Sequence, residues 1–191
     1  MSLLSWIALA YLIVFVPIPL MWIIVHTTTS FWRKVGKWTY GLAIIVWILS
    51  AFFFTSYKEN VLGMQHPFVI LPFIAGIMAL FLALYIETQQ RRVFSLKTLI
   101  GFPEIMPKQY PGRLVTSGIY GKIRHPRYVS YILLGWSLAF LTRYVGGYVF
   151  AILLAFSFYI IMILEERELQ KRFGRAYEDY MRKVPRLWPR R

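Results

Sequence analysis

The chain has 191 residues, of which 58% are apolar and only 16% charged, with a formal net charge of +14. Soluble domains run at roughly 45–50% apolar and about 25% charged, so this composition excludes a soluble enzyme and a disordered tail. Cysteine is absent, which removes disulfides, thiolate zinc sites, thiol nucleophiles and iron–sulfur clusters, and leaves His26, His66 and His125 as the imidazoles. The basic residues cluster beside hydrophobic runs, where they set topology and meet anionic lipid, and this placement argues against nucleic acid as a partner.

Residues 3–25 are free of charge and long enough to cross a hydrocarbon core of about 30 Å. They predict a first transmembrane helix, bent near Pro17 and Pro19. The run lacks a basic leader and exceeds a signal peptide's apolar core of about 7–15 residues, so it is expected to stay in the mature protein. Further uncharged runs follow at 38–54, 68–86, 129–141 and 148–164. The fourth is short for a span and is expected to form a tight hairpin with the fifth around residues 143–147. The fold expected is all-α: a polytopic membrane protein of about five transmembrane helices in a single domain. Residues 1–90 would hold three N-terminal helices, and residues 91–191 a catalytic region.

Between the runs the charge is +3 over 26–37, zero over 55–67, +6 over 87–127, +1 over 142–147 and +4 from Glu165 onward. The positive-inside rule then places the N-terminus outside and the C-terminus in the cytoplasm. The long loop 87–127 carries Gly101, Pro103, Pro107, Pro111, Gly112 and Gly118, which break helical continuity, and a loop of this length is usually functional. After the fifth run, Leu169, Phe173, Ala176, Tyr180 and Val184 recur at helical spacing and predict an amphipathic helix along the membrane face.

Chemistry-bearing residues concentrate in the basic half: Arg113-Leu-Val-Thr-Ser-Gly-Ile-Tyr120, Arg124-His-Pro-Arg-Tyr128, Glu165-Glu166 directly after seventeen uncharged residues, and Phe173-Gly174 with Tyr177 and Tyr180. Carboxylates at that depth are costly unless they face a cavity or a cation, which makes the pair a functional candidate. The alternative is that they mark the water boundary and pair with Arg167 or with the basic loop. Pro126 disfavours helical geometry at His125 and presents its imidazole.

Taken together, Leu-Val-Thr-Ser-Gly-Ile-Tyr, Arg-His-Pro-x-Tyr and Glu-Glu-x-x-Leu-x-x-x-Phe-Gly-x-x-Tyr-x-x-Tyr resemble the isoprenylcysteine carboxyl methyltransferase family over residues 112–189. The resemblance implies S-adenosylmethionine as methyl donor and no metal. It implies cofactor contacts at Leu114, Val115, Tyr120, His125, Pro126, Arg127, Tyr128 and Glu165, with Tyr180 added by neighbourhood. Arg124 is the candidate to orient an anionic acceptor, and Glu166 a candidate catalytic carboxylate. The expected partners are membrane lipid and a lipidic or prenylated acceptor, first of all the C-terminal carboxylate of an isoprenylcysteine or a similar prenyl-thio carboxylate. One position departs from the family: Ile161 stands where eukaryotic members carry an Arg implicated in substrate binding, which leaves the acceptor open. A phospholipid N-methyltransferase, a nicotinamide-dependent reductase of the sterol type and a lipid-binding scaffold are the competing readings. A transporter is disfavoured because no paired broken helices or inverted halves occur.

Overall fold

The computed structural model of the protein describes residues 2–188, so Pro189 at the end of the motif-bearing stretch lies outside the described residues. Every regular element described is helical: α1 (Leu3–Phe15), α2 (Pro17–Thr27), α3 (Thr29–Val35), α4 (Trp38–Ser56), α5 (Lys58–Leu62), α6 (Ile70–Arg91), α7 (Leu96–Leu99), α8 (Phe102–Ile105), a 3-10 turn (Gly118–Gly121), α9 (Pro126–Thr142), α10 (Val145–Phe173) and α11 (Arg175–Lys183). Among the described residues, four segments are long and apolar enough to cross a membrane: Leu3–Thr27, Trp38–Ser56, Ile70–Arg91 and Val145–Phe173. Their outer faces carry Ile48, Phe52, Phe81 and Phe156, all more than 60% exposed, an apolar belt that a water-soluble monomer would not present.

The first segment is interrupted at Val16, because Pro17 lacks the N–H that would continue the ladder and starts α2 instead. α9 has 17 residues and begins at Pro126, earlier than the uncharged run indicates. It packs between α6 and α10, and α10 in turn packs on α2. Small residues allow these approaches: a methyl at Gly76 on α6 would lie 3.1 Å from Phe140 and Leu141, and one at Gly147 only 3.4 Å from the Ala139 Cα. Arg143, in the left-handed region at φ 64°, and Tyr144 join α9 to α10, which run antiparallel with Gly147 facing Ala139 and Phe158 stacked on Tyr128.

The helices run back and forth between two ends. At one end Ser2 meets Tyr144, Gln65 donates to the Thr142 carbonyl, and His66 N–H donates to that of Arg143. At the other end α3, residues 92–125, α11 and the C-terminal segment gather, tied by Arg33 and His26 to Glu168.

Two expectations are corrected here. α10 does not end at the glutamate pair but continues as helix to Phe173, and the amphipathic helix expected over 169–184 is cut at Gly174, whose φ of 54° and ψ of −132° suit glycine alone. The break also shifts the register, so Tyr177 is buried where Ala176 was expected and Ala176 is exposed. Leu169, Phe173, Tyr180 and Val184 still pack into one cluster, with Leu114 and Met181.

Candidate active site

A cavity opens at the second end of the bundle, between α2, α8, α9, α10 and α11. The empty space within its walls, open mouth included, is about 880 Å³. Leu114, Val115, Tyr120, His125, Pro126, Arg127, Tyr128, Glu165 and Tyr180, scattered over 67 residues of chain, all line it. Local structure explains each placement. His125 precedes α9 as its N-cap, with Pro126 fixing the first helical turn, so the imidazole projects from the helix mouth. Residues 111–116 form neither helix nor strand and make no hydrogen bond to other backbone; Gly112, Arg113, Leu114 and Val115 among them line the cavity, which leaves their N–H and C=O groups free for a ligand. The 3-10 turn is pinned from α11, whose Tyr180 hydroxyl donates to the Tyr120 carbonyl at 2.6 Å. The Tyr120 ring meets Phe94 edge-on.

The glutamate pair divides its work. Glu165 lines the cavity, and its Oε2 lies 3.6 Å from His125 Nδ1 without a hydrogen bond. Glu166 is turned away and buried, and does not line the cavity. Its Oε1 accepts from Arg124 Nε at 3.0 Å and Nη2 at 2.7 Å, from Arg186 Nε at 3.0 Å and from His125 Nε2 at 2.9 Å, while its Oε2 accepts from Arg186 Nη2. Arg124 Nη1 donates to the carbonyls of Met181 and Val184. Arg124 therefore reaches the cavity wall with each guanidinium nitrogen already engaged, so it has no free two-pronged face for an anionic acceptor. Glu166, ringed by donors, sits as a fixed anion rather than as a base. Burial alone would lower the His125 pKa, but the hydrogen bond to Glu166 and the adjacent Glu165 carboxylate outweigh it and raise the imidazole above its ordinary value.

The structure adds residues that the motifs do not contain. Trp22 and His26 of α2 line the cavity, with their rings stacked 5.4 Å apart and His26 Nδ1 3.2 Å from Glu168 Oε2. Glu104 of α8 lines it too, and its Oε2 is sealed from solvent without a hydrogen-bond partner. Burial and the nearby carboxylates Glu165 and Glu168 push its pKa up to about 7. A sequence signal for it exists: Glu104 is the lone acidic residue between Glu87 and Glu165. His66 lies at the opposite end of the bundle, edge-on to Tyr148. Ile161 is fully buried in the core, away from the cavity lining.

Comparison with known proteins places the chain in a family. The family model described as phospholipid methyltransferase matches residues 71–176, more than half of the chain and reaching back into α6. The methanethiol S-methyltransferase of Crocosphaera subtropica is 36% identical over 83 residues, 43% of this chain and 32% of that protein. Methanethiol S-methyltransferase 2 of Bradyrhizobium diazoefficiens is 40% identical over 74 residues, 38% of this chain and 27% of that protein. The protein-S-isoprenylcysteine O-methyltransferase of Schizosaccharomyces pombe is 39% identical over 75 residues, 38% of this chain and 31% of that protein. The chain thus matches about a third of the length of these relatives. No solved structure matches it significantly. The chain belongs to the phospholipid methyltransferase family, among the membrane methyltransferases that include the isoprenylcysteine O-methyltransferases.

Proposed function

We propose that this protein transfers a methyl group from S-adenosylmethionine to an acceptor dissolved in, or anchored to, the membrane. The observation that carries this reading is a carboxylate oxygen, Glu165 Oε2, sealed from solvent and without a hydrogen-bond partner, in a cavity walled by Trp22, Tyr120 and Tyr128. Unpaired carboxylate oxygens are costly in such a place, and aromatic faces attract cations, so the cavity suits a ligand bearing positive charge. S-adenosylmethionine, when bound, supplies a methyl group activated on a sulfonium. Glu165 would face its cationic end, Arg113, Arg127 and Arg172 would face its carboxylate, and the free backbone of residues 111–116 would meet the adenosine. His125, held by Glu166, keeps Glu165 in place. Arg124 and Arg186 neutralise Glu166 and act as positioning residues. Methyl transfer then relies on alignment and exclusion of water.

The acceptor reading rests on placement. The cavity lies at the end of the helices rather than midway, where a lipid chain can stay between helices while its reacting head meets the cofactor. The relatives' names range from methanethiol to isoprenylcysteine as acceptor. We place this end of the bundle in the cytoplasm, because the basic segments 26–37, 87–127 and 165 onward gather there. Calorimetric titration of detergent-purified protein with S-adenosylmethionine and S-adenosylhomocysteine tests the proposal. Micromolar binding is expected, weakened at least about tenfold by His125→Ala and by Glu165→Ala, a loss of about 1.4 kcal/mol or more. Well-folded protein that binds neither compound, but is thermally stabilised by a nicotinamide cofactor, would overturn it.

A further inference from the structure

We propose that Glu104 is a catalytic base that takes the proton from a thiol acceptor, so that the methyl group is passed to sulfur rather than to a preformed carboxylate. This rests on the methyl-transfer reading above.

The geometry of α8 points to it. Gly101, at φ 89°, turns the chain into α8 where a side chain would collide with the Trp22 indole, and the Glu104 carbonyl accepts from Arg33 Nε at 3.0 Å. The backbone is fixed from two sides, and the carboxyl projects into the cavity with one oxygen unpaired. The groups around it are Glu165 and Glu168 on α10, Arg127 on α9, His26 on α2, Arg33 on α3 and Tyr40 on α4. Glu168 is engaged by Arg33 Nη2 at 2.7 Å and by His26. Glu165 faces His125. Among the described residues no cation forms an ion pair with Glu104, so a structural role is left without a partner.

The same charges select the acceptor. A carboxylate acceptor would bring a further anion beside Glu104 and Glu165, with Arg124 tied to Glu166 and an apolar Ile161 in the core. A thiol enters neutral, and it needs a base. Glu104 is pushed up to about 7, which suits it to accept a proton from a thiol, a weaker acid whose cysteine form has an ordinary pKa of about 8.5. In the step, the acceptor sulfur forms the new bond to the methyl carbon. The bond from that carbon to the sulfonium breaks, and its electron pair remains on the donor sulfur as a neutral thioether. The S–H proton goes to Glu104 Oε2 and then to water.

The test compares 1-decanethiol with decanoate as acceptors for the purified full chain, in wild type, Glu104→Gln and Glu104→Asp. The expected result is that wild type methylates the thiol in preference to decanoate. Glu104→Gln should bind S-adenosylmethionine within about twofold of wild type, lose about 100-fold or more in kcat on the thiol, and lose the acid limb of the kcat–pH profile. Glu104→Asp should recover part of that rate. Glutamine fits the same space without charge, so its thermal midpoint should not fall. Three results overturn the proposal: Glu104→Gln weakening cofactor affinity tenfold while kcat holds, which makes Glu104 a counter-ion; wild-type turnover confined to decanoate; or no turnover of the thiol. Wild type failing to bind the cofactor at all is a different outcome, and sinks the methyl-transfer reading instead.

Discussion

Glu166 shows how a single side chain can look catalytic in sequence and structural in space. A carboxylate directly after an uncharged helix stretch invites a chemical role, yet it is consumed by Arg124, Arg186 and His125. Breaking a buried ion pair from one side leaves an uncompensated charge, so Arg124→Ala should cost about 3–5 kcal/mol, with Arg186 holding it toward the lower figure. Thermal unfolding in detergent measures this, and cofactor affinity should fall with it because His125 loses its support. The pH dependence has a definite sign. Glu104 and His125 both have raised pKa values in the folded state. The folded protein therefore binds more protons than the unfolded chain, and the stability these groups contribute is present at low pH and lost as pH rises. For Glu104 the window runs from its ordinary 4.5 to about 7, and His125 extends the loss above about 6.5. Glu104→Gln should flatten the slope across the Glu104 window and stabilise the unliganded protein at pH 7.5 by at most about 3 kcal/mol, at 1.36 kcal/mol per unit.

At the scale of elements, two glycines set where helices sit. Gly146, in the first turn of α10, lies against the Val61 carbonyl of α5 with no room for a methyl group. Gly146→Ala should destabilise by about 1–3 kcal/mol through overpacking, read as a lower thermal midpoint. Gly174 has open space around it, so Gly174→Ala acts through backbone strain alone, again about 1–3 kcal/mol. That substitution should also loosen α11 and its Tyr180–Tyr120 bond, and so weaken cofactor binding, whereas Gly146→Ala, at the far end of α10, should leave affinity unchanged. Two other places mark the limits of reading elements from sequence. Val16 and α2 follow from Pro17 and Pro19, because proline chemistry is local. The continuation of α10 through Glu165 and Glu166 is not local, because it depends on cations supplied from Arg124 and Arg186, 42 and 20 residues away.

Over the whole molecule, alternating helices put the N-terminus, the 57–67 segment and the α9–α10 turn at one end, and the cavity at the other. The chain has no cysteine, so single substitutions report this arrangement directly. In intact cells an impermeant maleimide should label Lys58→Cys, and should label Lys183→Cys only after permeabilisation. The reverse pattern would invert the proposed orientation. Uncharged runs longer than the hydrocarbon core, the proline break and the motif residues of the cavity were decided by the sequence itself, since hydrophobic length and proline geometry act within a segment. The tertiary structure alone decided that Glu165 faces the cavity while Glu166 faces Arg124 and Arg186, that Tyr177 rather than Ala176 is buried, and that Trp22, His26 and Glu104 complete the walls. Those outcomes depend on which distant side chains offer charge or space, and such pairing exists only once the helices have packed.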